Sequence, residues 1–309
     1  MNVTRRHAMA MTAAAFGFAA LAPVPGHSQD MTVRHAQGET RLPPNFGPVL
    51  VFDMPSLDTL DALGVAVAGV PTGLKPPHLA KYDGPSYKKI GTFFEPDYEA
   101  VNAAEPGLIV VGGRSAPKYA DLSRIAPTID LTVDPNDYLE SSIANAETLG
   151  RIFGKTAMVK QRVDRLRASI AALKATAANA GTGLLVLTTG GKMSAYGVGS
   201  RFGILHSEFG IRPAVENLKV SNHGQAISFE FILQANPDWL FVIDRDAAIG
   251  QDGKPARQFL DNDIVRRTTA WQKNQVVHLD GGSWYVVGGG LASLQKDVDN
   301  LTAALTKKS

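Results

Sequence analysis

The sequence contains no cysteine among its 309 residues. This absence excludes disulfide bonds, thiolate metal sites and a cysteine nucleophile. It also excludes a lipid anchor on an N-terminal cysteine. If the protein is exported, we therefore expect it to be released without lipidation.

The sequence also has little net charge. Its formal charge is +2, from 31 basic and 29 acidic residues. The first 28 residues contain Arg5 and Arg6 but no acidic residue, so the remainder holds 29 residues of each sign. Nucleic-acid-binding surfaces need a basic excess, and this sequence does not supply one. We therefore expect no nucleic-acid partner.

Several motifs typical of enzymes are also missing. The sequence has no G-x-S-x-G, no Walker loop, no zinc-ligand spacing and no G-x-G-x-x-G followed by an acidic residue. Asp137, Glu140 and Glu147 fit the solvated face of a helix better than a pair of catalytic carboxylates. The sequence therefore favours a binding protein over an enzyme.

The N-terminal segment is typical of an export signal. Thr4, Arg5 and Arg6 precede an alanine-rich apolar run, 9–22, which is too short to span a bilayer. This pattern predicts a signal peptide over residues 1–28 and export from the cytoplasm. The paired arginines resemble a twin-arginine signal, although a general secretory signal remains open.

A helix–turn–strand pattern occurs twice, at an offset of 131 residues. Glu99 opens E-A-V-N-A-A-E-P-G-L-I-V-V-G-G-R, which ends at Arg114, and Glu230 opens E-F-I-L-Q-A-N-P-D-W-L-F-V-I-D-R, which ends at Arg245. Each copy predicts a short helix, a proline-marked turn and a buried strand that ends in arginine. Two such units indicate two similar lobes, whose arginines would converge on an anionic ligand. A chance recurrence, with both arginines in surface ion pairs, is the alternative.

The alternation of strands and helices predicts an α/β fold. One helical pattern is long enough to connect two lobes. We therefore expect two Rossmann-like lobes joined by a single long α-helix. The predicted boundaries are 29–155 for the N-terminal lobe, 156–180 for the connecting helix and 181–309 for the C-terminal lobe.

Three loops of the C-terminal lobe carry candidate ligand-binding residues. Arg201 follows Y-G-V-G-S, His223 lies in a glycine-flanked polar loop, and Trp284 and Tyr285 stand between two glycine clusters. In α/β sheets, ligands gather at the carboxyl ends of the strands, where these loops are expected. Alone, each residue is more often a surface hydrogen-bonding group, a packed turn or an ion-pair member.

The chemistry of the combined set is more specific than that of its members. Guanidinium groups suit delocalised oxygen anions. Imidazole nitrogen and phenolate oxygen are good iron ligands, and phenolate suits Fe(III) in particular. The set therefore predicts a receptor for an anionic, oxygen-rich ferric chelate.

These motifs resemble a known family. The segments H-G-x-A-I-S-F-E-F-I, N-P-D-W-L-F-V-I-D-R and D-G-G-S-W-Y-V-V-G-G-G are similar to those of periplasmic binding proteins for ferric catecholate siderophores. They resemble the CeuE-like branch, which serves ABC importers. This likeness implies the fold of a class III periplasmic binding protein, with two Rossmann-like lobes joined by a single long α-helix. The likeness extends over about residues 31–305 and is most specific over 196–290.

The resemblance implies roles for the residues that match. His223 and Tyr285 would complete the iron shell that a tetradentate catecholate leaves open. Arg114, Arg201 and Arg245 would line the cleft against catecholate oxygens, and Trp284 is predicted to contact the ligand beside them.

The resemblance also implies partners. Glu99 and Glu230 would dock the protein, as a monomer, on an inner-membrane ABC permease that works with an ATPase. Fe(III) would arrive within the siderophore complex, and no intrinsic cofactor is expected. Alternatives that remain open are binding of haem, a corrinoid or another metal chelate, and a periplasmic metal-dependent enzyme.

Overall fold

The computed structural model describes residues 30–307. The predicted signal peptide, 1–28, lies outside the described residues. The described chain forms two α/β lobes, each built on its own sheet, and a long helix joins them. Within this part of the chain, no helix is both long and apolar enough to cross a membrane.

The N-terminal lobe contains a hairpin and a five-stranded parallel sheet. Its strands are β1 (Met31–His35), β2 (Gly38–Leu42), β3 (Val49–Val51), β4 (Gly69–Val70), β5 (Lys88–Lys89), β6 (Leu108–Val111) and β7 (Thr128–Asp130). The sheet order is β5-β4-β3-β6-β7, and every pair is parallel. The hairpin β1–β2 is antiparallel, with His35 opposite Gly38. It is tied to the sheet by a 3.0 Å hydrogen bond from the Ala36 amide to the Asp130 carbonyl.

Four α-helices accompany this sheet, and the first two begin at capping aspartates. They are α1 (Met54–Ala62), α2 (Tyr98–Ala103), α3 (Tyr119–Leu122) and α4 (Tyr138–Ile152). At the start of α1, the Asp53 carboxyl accepts the Ser56 amide hydrogen at 3.0 Å, and Pro55 occupies the first turn. The 3₁₀ helices of the lobe are Pro77–Asp83 and Ala116–Lys118.

The connecting helix is α5 (Thr156–Ala177), 22 residues long. At 1.5 Å per residue it spans about 33 Å. Its buried residues recur at helical spacing and form one stripe: Val159, Val163, Leu166, Ile170, Leu173 and Ala177. This stripe lies in the hydrophobic core that also includes strands and helices of the C-terminal lobe.

The C-terminal lobe is built on a mixed sheet. Its strands are β8 (Thr182–Thr189), β9 (Lys192–Tyr196), β10 (Arg212–Pro213), β11 (Gln225–Ala226), β12 (Trp239–Asp244) and β13 (Val276–His278). The order is β11-β9-β8-β12-β13, with β10 also paired to β8. β12 is parallel to β8 and β13, whereas β9 is antiparallel to β8 and β11.

Short helices and one long terminal helix surround this sheet. They are α6 (Ile204–Ser207), α7 (Phe229–Ala235), α8 (Arg245–Ala248), α9 (Ala256–Leu260), α10 (Thr269–Gln272) and α11 (Leu291–Thr306). A 3₁₀ helix covers Val265–Arg267, and a π-helix covers Gly282–Val287. The π-helix falls where the sequence predicted a glycine-rich loop.

The last helix returns to the N-terminal lobe. The buried Asp58 carboxyl of α1 accepts the amide hydrogens of Ala292 and Ser293 at 2.9 and 3.0 Å, and the Ser293 hydroxyl at 2.8 Å. This carboxyl therefore caps α11 from the other lobe. The two lobes are consequently held together by α5 and by α11.

The structure gives both copies of the sequence repeat the same form. A short helix, α2 or α7, is followed by a turn and then by a central strand, β6 or β12. Each helix is capped by its own residue, Asp97 or Ser228. Six residues after each glutamate, Glu105 and Asn236 have positive φ angles of 48° and 39°. The repeat therefore extends to the backbone conformation of the turn.

Candidate functional site

A cleft of about 1040 Å³ opens between the two lobes. Six of the eight site residues predicted from the sequence line it: Arg114, Arg201, His223, Arg245, Trp284 and Tyr285. Residues from both lobes form its walls. The volume suits a medium-sized ligand.

Tyr285 lies at the centre of the charged part of this cleft. It belongs to the π-helix, a rare conformation that is frequent at functional sites. The guanidinium carbon of Arg201 lies 4.4 Å from the centroid of the Tyr285 ring, and those of Arg114 and Arg245 lie 5.6 Å from it. Three cations therefore surround one phenol.

Two of these arginines hold the backbone of the π-helix. Arg201 donates to the Tyr285 carbonyl at 2.7 Å, and Arg114 donates to the same oxygen at 2.7 Å and to the Val286 carbonyl at 3.0 Å. The sequence predicts that these guanidinium groups line the cleft against the ligand, and it gives no sign of their hydrogen bonds to the π-helix. Each has five N–H donors, so others remain for a ligand after these contacts. Arg114 also connects the lobes, because it reaches the π-helix from the N-terminal side.

Arg245 contacts the phenol itself. Its Nε donates to the Tyr285 hydroxyl at 3.0 Å. Its Nη1 donates to Thr189 at 3.1 Å, to Gln251 at 3.2 Å and to Asp246 at 3.4 Å. These three neighbours were not identified from the sequence. They orient the guanidinium, and the Asp246 carboxylate offsets part of its charge.

The surroundings of Tyr285 change its acidity. Burial alone would raise the pKa of the phenol, but the hydrogen bond from Arg245 and the charges of Arg201, Arg245 and Arg114 outweigh burial, so the net pKa is lowered. Burial lowers the pKa of the Arg114 guanidinium, and repulsion from Arg201 acts in the same direction. The site therefore favours negative charge on the phenol oxygen or on a ligand beside it.

His223 lies at the exposed rim of the same cleft. Its loop is closed by the Gly224 amide, which donates to the Ser221 carbonyl at 3.1 Å, and by the Ser221 hydroxyl, which donates to the Gly224 carbonyl at 2.8 Å. Gly224 has a φ of +68°, and a Cβ there would lie 2.7 Å from the Ala195 carbonyl oxygen. The glycine therefore allows this loop to lie close against β9.

Trp284 differs from its neighbours because it is mostly in the core. Only 6% of its surface is exposed, and its ring packs edge-to-face on Phe209 with the centroids 6.1 Å apart. It lines the cleft through a small part of its surface. The sequence predicts that Trp284 contacts the ligand. The structure instead gives most of its side chain a packing position next to Tyr285.

Asp53 also lines the cleft, although the sequence did not predict it as a site residue. Its side chain is 5% exposed, and it accepts the Ser56 hydroxyl at 2.6 Å. Burial raises the pKa of this carboxyl to about 6; Asp130 raises it further, whereas the hydrogen bonds from Ser56 and the charge of Arg114 lower it. Asp53 stands two residues before Pro55, a pattern that could have indicated a helix cap, but nothing in the sequence indicates that Asp53 lies close to Arg114.

Metal binding by the protein alone is limited by the available donors. Within residues 30–307, no group of three or more His, Asp or Glu side chains could hold a metal ion. His223 and Tyr285 are two potential ligands on one cleft. They suit a metal that arrives with most of its coordination shell already filled.

Glu99 and Glu230 are placed away from the cleft lining. Both are exposed in the first turn of a short helix, one in each lobe. Hydrogen bonds from its own backbone amide and from the Ser228 hydroxyl lower the pKa of Glu230. The two carboxylates are therefore available to a partner on the surface.

Comparison with known proteins gives a consistent result. A family described as periplasmic binding protein matches residues 49–281. The petrobactin-binding protein YclQ of Bacillus subtilis is 41% identical over 284 residues, which cover 90% of this chain and 89% of that protein. Its crystal structure superposes with a TM-score of 0.88 at 40% identity, over 91% of this chain and 100% of that one.

Two further solved structures agree. The periplasmic catecholate-siderophore-binding protein VctP of Vibrio cholerae has a TM-score of 0.84 at 32% identity and covers 89% of this chain and 100% of its own. The iron uptake ABC transporter substrate-binding protein PiuA of Streptococcus pneumoniae has a TM-score of 0.84 at 33% identity and covers 88% and 98%. The fold class and the family predicted from the sequence are thereby confirmed.

Proposed function

Because this chain belongs to the periplasmic binding protein family, we propose that it is the substrate-binding component of an iron–siderophore ABC importer. It captures an anionic ferric complex, of catecholate type, between its two lobes. The observation that carries this proposal is the gathering of Arg114, Arg201 and Arg245 around Tyr285 in the cleft.

The chemistry of the cleft supports an oxygen-rich ferric ligand. Guanidinium forks bind delocalised oxygen anions through charge-assisted hydrogen bonds. The lowered pKa of Tyr285 favours the phenolate, which is a good ligand for Fe(III). His223 on the rim would supply a second protein ligand. The siderophore would supply the remaining coordination positions, so the iron is cargo and not a resident cofactor.

Capture without catalysis is the activity that we propose. The similar proteins are named as binding proteins. The cleft carboxyl of Asp53 is engaged as a helix cap, and so it is not free to act as a general base. The alternatives are binding of haem, a corrinoid or another metal chelate, and metal-dependent catalysis.

The location and partner belong to the same proposal. We place the protein in the periplasm, exported by the signal predicted over residues 1–28 and unlipidated, because the sequence has no cysteine. As a monomer it would deliver the ferric complex to an inner-membrane permease with its ATPase. Glu99 and Glu230 are exposed, one in each lobe, which suits docking on permease arginines.

The decisive experiment is a titration of the protein with ferric chelates that differ in denticity. A ferric bis-catecholate leaves two coordination positions open, whereas a ferric tris-catecholate leaves none. We expect His223→Ala and Tyr285→Phe each to weaken the bis-catecholate complex by about tenfold, equivalent to about 1.4 kcal/mol. The tris-catecholate complex should change much less.

The charge-transfer band in the visible spectrum and quenching of tryptophan fluorescence report binding in this titration. Equal losses for both chelates would argue against direct coordination by His223 and Tyr285. Failure of the native protein to bind either chelate, together with a Soret band on adding haem, would replace the proposal by its haem alternative.

A further inference from the structure

The rim of the cleft carries two exposed apolar side chains, one from each lobe. Phe94 is 57% exposed and Val220 is 59% exposed, and both line the same cleft as the arginines. Single exposed apolar residues are ordinary on a protein surface. Two that border a charged cleft need a more specific explanation.

The loop that carries Phe94 is held in one conformation. The Thr92 amide donates to the Glu95 carbonyl at 2.8 Å, and the Thr92 hydroxyl accepts the Phe94 and Glu95 amides at 3.3 and 3.0 Å. Phe93 beside it is partly buried, and the Lys75 ammonium lies 6.0 Å from its ring. The backbone of Phe94 is thus fixed while its ring is left exposed.

The loop that carries Val220 is fixed in a similar way. The Lys219 amide donates to the Gln225 side chain at 2.9 Å, and the Ser221–Gly224 turn follows directly. Since both rim residues stand on fixed loops, little conformational entropy is lost when a ligand covers them.

The cleft therefore has positively charged groups at depth and apolar groups at its rim. Arg114, Arg201 and Arg245 are half-buried, whereas Phe94 and Val220 are exposed at the rim. A catecholate ring has the matching arrangement, because its two oxygens lie on one edge and its carbon face is apolar. A carboxylate chelator such as citrate carries the charge but has no ring to cover the rim.

We propose that Phe94 and Val220 are specificity-determining residues, which pack on the aromatic rings of the bound ferric chelate and select it over aliphatic carboxylate chelates. This inference rests on the proposed function, since it concerns the ligand held by the same arginines. Phe94 offers an aromatic face on the N-terminal side, and Val220 offers an aliphatic contact on the opposite side.

The test uses a ferric bis(dihydroxybenzamide) chelate and isothermal titration at several temperatures. Phe94→Gln should weaken binding about tenfold, and it should make the heat-capacity change of binding less negative, because less apolar surface is buried. Val220→Thr, which keeps the shape and adds a hydroxyl, should have a smaller effect in the same direction. Phe94→Tyr, which keeps the ring, should retain the affinity.

Matched controls separate this inference from a general effect of surface change. Met158 is 39% exposed on α5 and does not line the cleft, so Met158→Gln should leave both quantities unchanged. On the native protein, ferric dicitrate should compete at least about ten times less well than the catecholate chelate, a difference of about 1.4 kcal/mol.

The outcomes are distinguishable. Equal competition by ferric dicitrate, or an unchanged affinity and heat capacity in Phe94→Gln, would overturn the inference and leave the proposed function in place. If Phe94→Gln instead impairs only delivery to the permease, the rim belongs to the docking surface and the inference is wrong. If the native protein binds no ferric chelate at all, the proposed function itself fails.

Discussion

The Tyr285 phenol shows how opposing effects are balanced at a single residue. Burial favours the neutral phenol, whereas the hydrogen bond from Arg245 and the charges of three guanidinium groups favour the phenolate. The charges dominate because all three lie within 6 Å of the ring. The Tyr285 phenol therefore loses its proton more easily than that of an ordinary tyrosine.

This balance predicts a measurable titration. The ultraviolet difference spectrum between the native protein and Tyr285→Phe should show one tyrosine that ionises below the ordinary value of about 10. Arg245→Gln should raise that pKa, because the phenolate loses a hydrogen-bond donor and a positive charge.

The matched control for this titration is Arg266→Gln. Arg266 is exposed and paired with Asp261 at 2.6 Å, and it is not part of the cleft lining. Its replacement should leave the Tyr285 titration unchanged. A Tyr285 pKa above the ordinary value in the native protein would mean that burial outweighs the guanidinium charges.

At the scale of elements, the N-terminus of α11 depends on a carboxyl from another helix. The Asp58 side chain, which is buried, accepts three hydrogen bonds from residues 292–293 and contacts His78 at 2.7 Å. An ordinary cap such as Asp97, which serves its own helix, is exposed to solvent. Removing the two caps should therefore have different consequences.

Asp58→Ala should lower the free energy of unfolding by about 3 kcal/mol, because buried donors at the start of α11 lose their acceptor. Asp97→Ala should cost about 1 kcal/mol, the usual value for a solvated cap. Chemical denaturation followed by circular dichroism measures both. Equal losses would mean that water replaces the Asp58 carboxyl at the lobe junction.

Some of these elements could be predicted from the sequence and others could not, for physical reasons. The repeat around Glu99 and Glu230 was predictable because helix, turn and strand each have a local signal. The pairing of β4 was not predictable from the sequence: it occurs at Gly69, where a Cβ would lie 2.7 Å from the Leu50 side chain. Glycine has low strand propensity, so only the tertiary packing identifies it as the paired residue.

The candidate site also contains some features that the sequence could predict and others that depend on tertiary contacts. The arginines, His223 and Tyr285 could be predicted to lie on one cleft, because their loops follow strands whose carboxyl ends meet at one edge of a sheet. The π-helix under Tyr285 could not, because its conformation depends on hydrogen bonds from Arg114 and Arg201 in distant parts of the chain. Asp53 was missed for a similar reason: its closeness to Arg114 arises from the parallel packing of β3 and β6.

At the scale of the whole molecule, several contacts oppose a wide opening of the lobes. α5 joins them covalently, α11 packs along α5, and the Asp58 cap ties α11 to α1. Arg114 adds hydrogen bonds across the cleft to the π-helix. Because packed helices accommodate only small sliding movements, the lobes should move little when a ligand binds.

Small-angle X-ray scattering with and without a ferric bis-catecholate tests this expectation. The radius of gyration should not change measurably, because sliding of packed helices by about 1–2 Å leaves the separation of the lobes nearly constant. Arg114→Ala is the informative variant: if α5 and α11 set the lobe geometry, the ligand-free radius should stay the same even though the hydrogen bonds across the cleft are lost. A measurable decrease on binding, or an expanded Arg114→Ala protein, would show instead that the cleft contacts hold an otherwise flexible hinge.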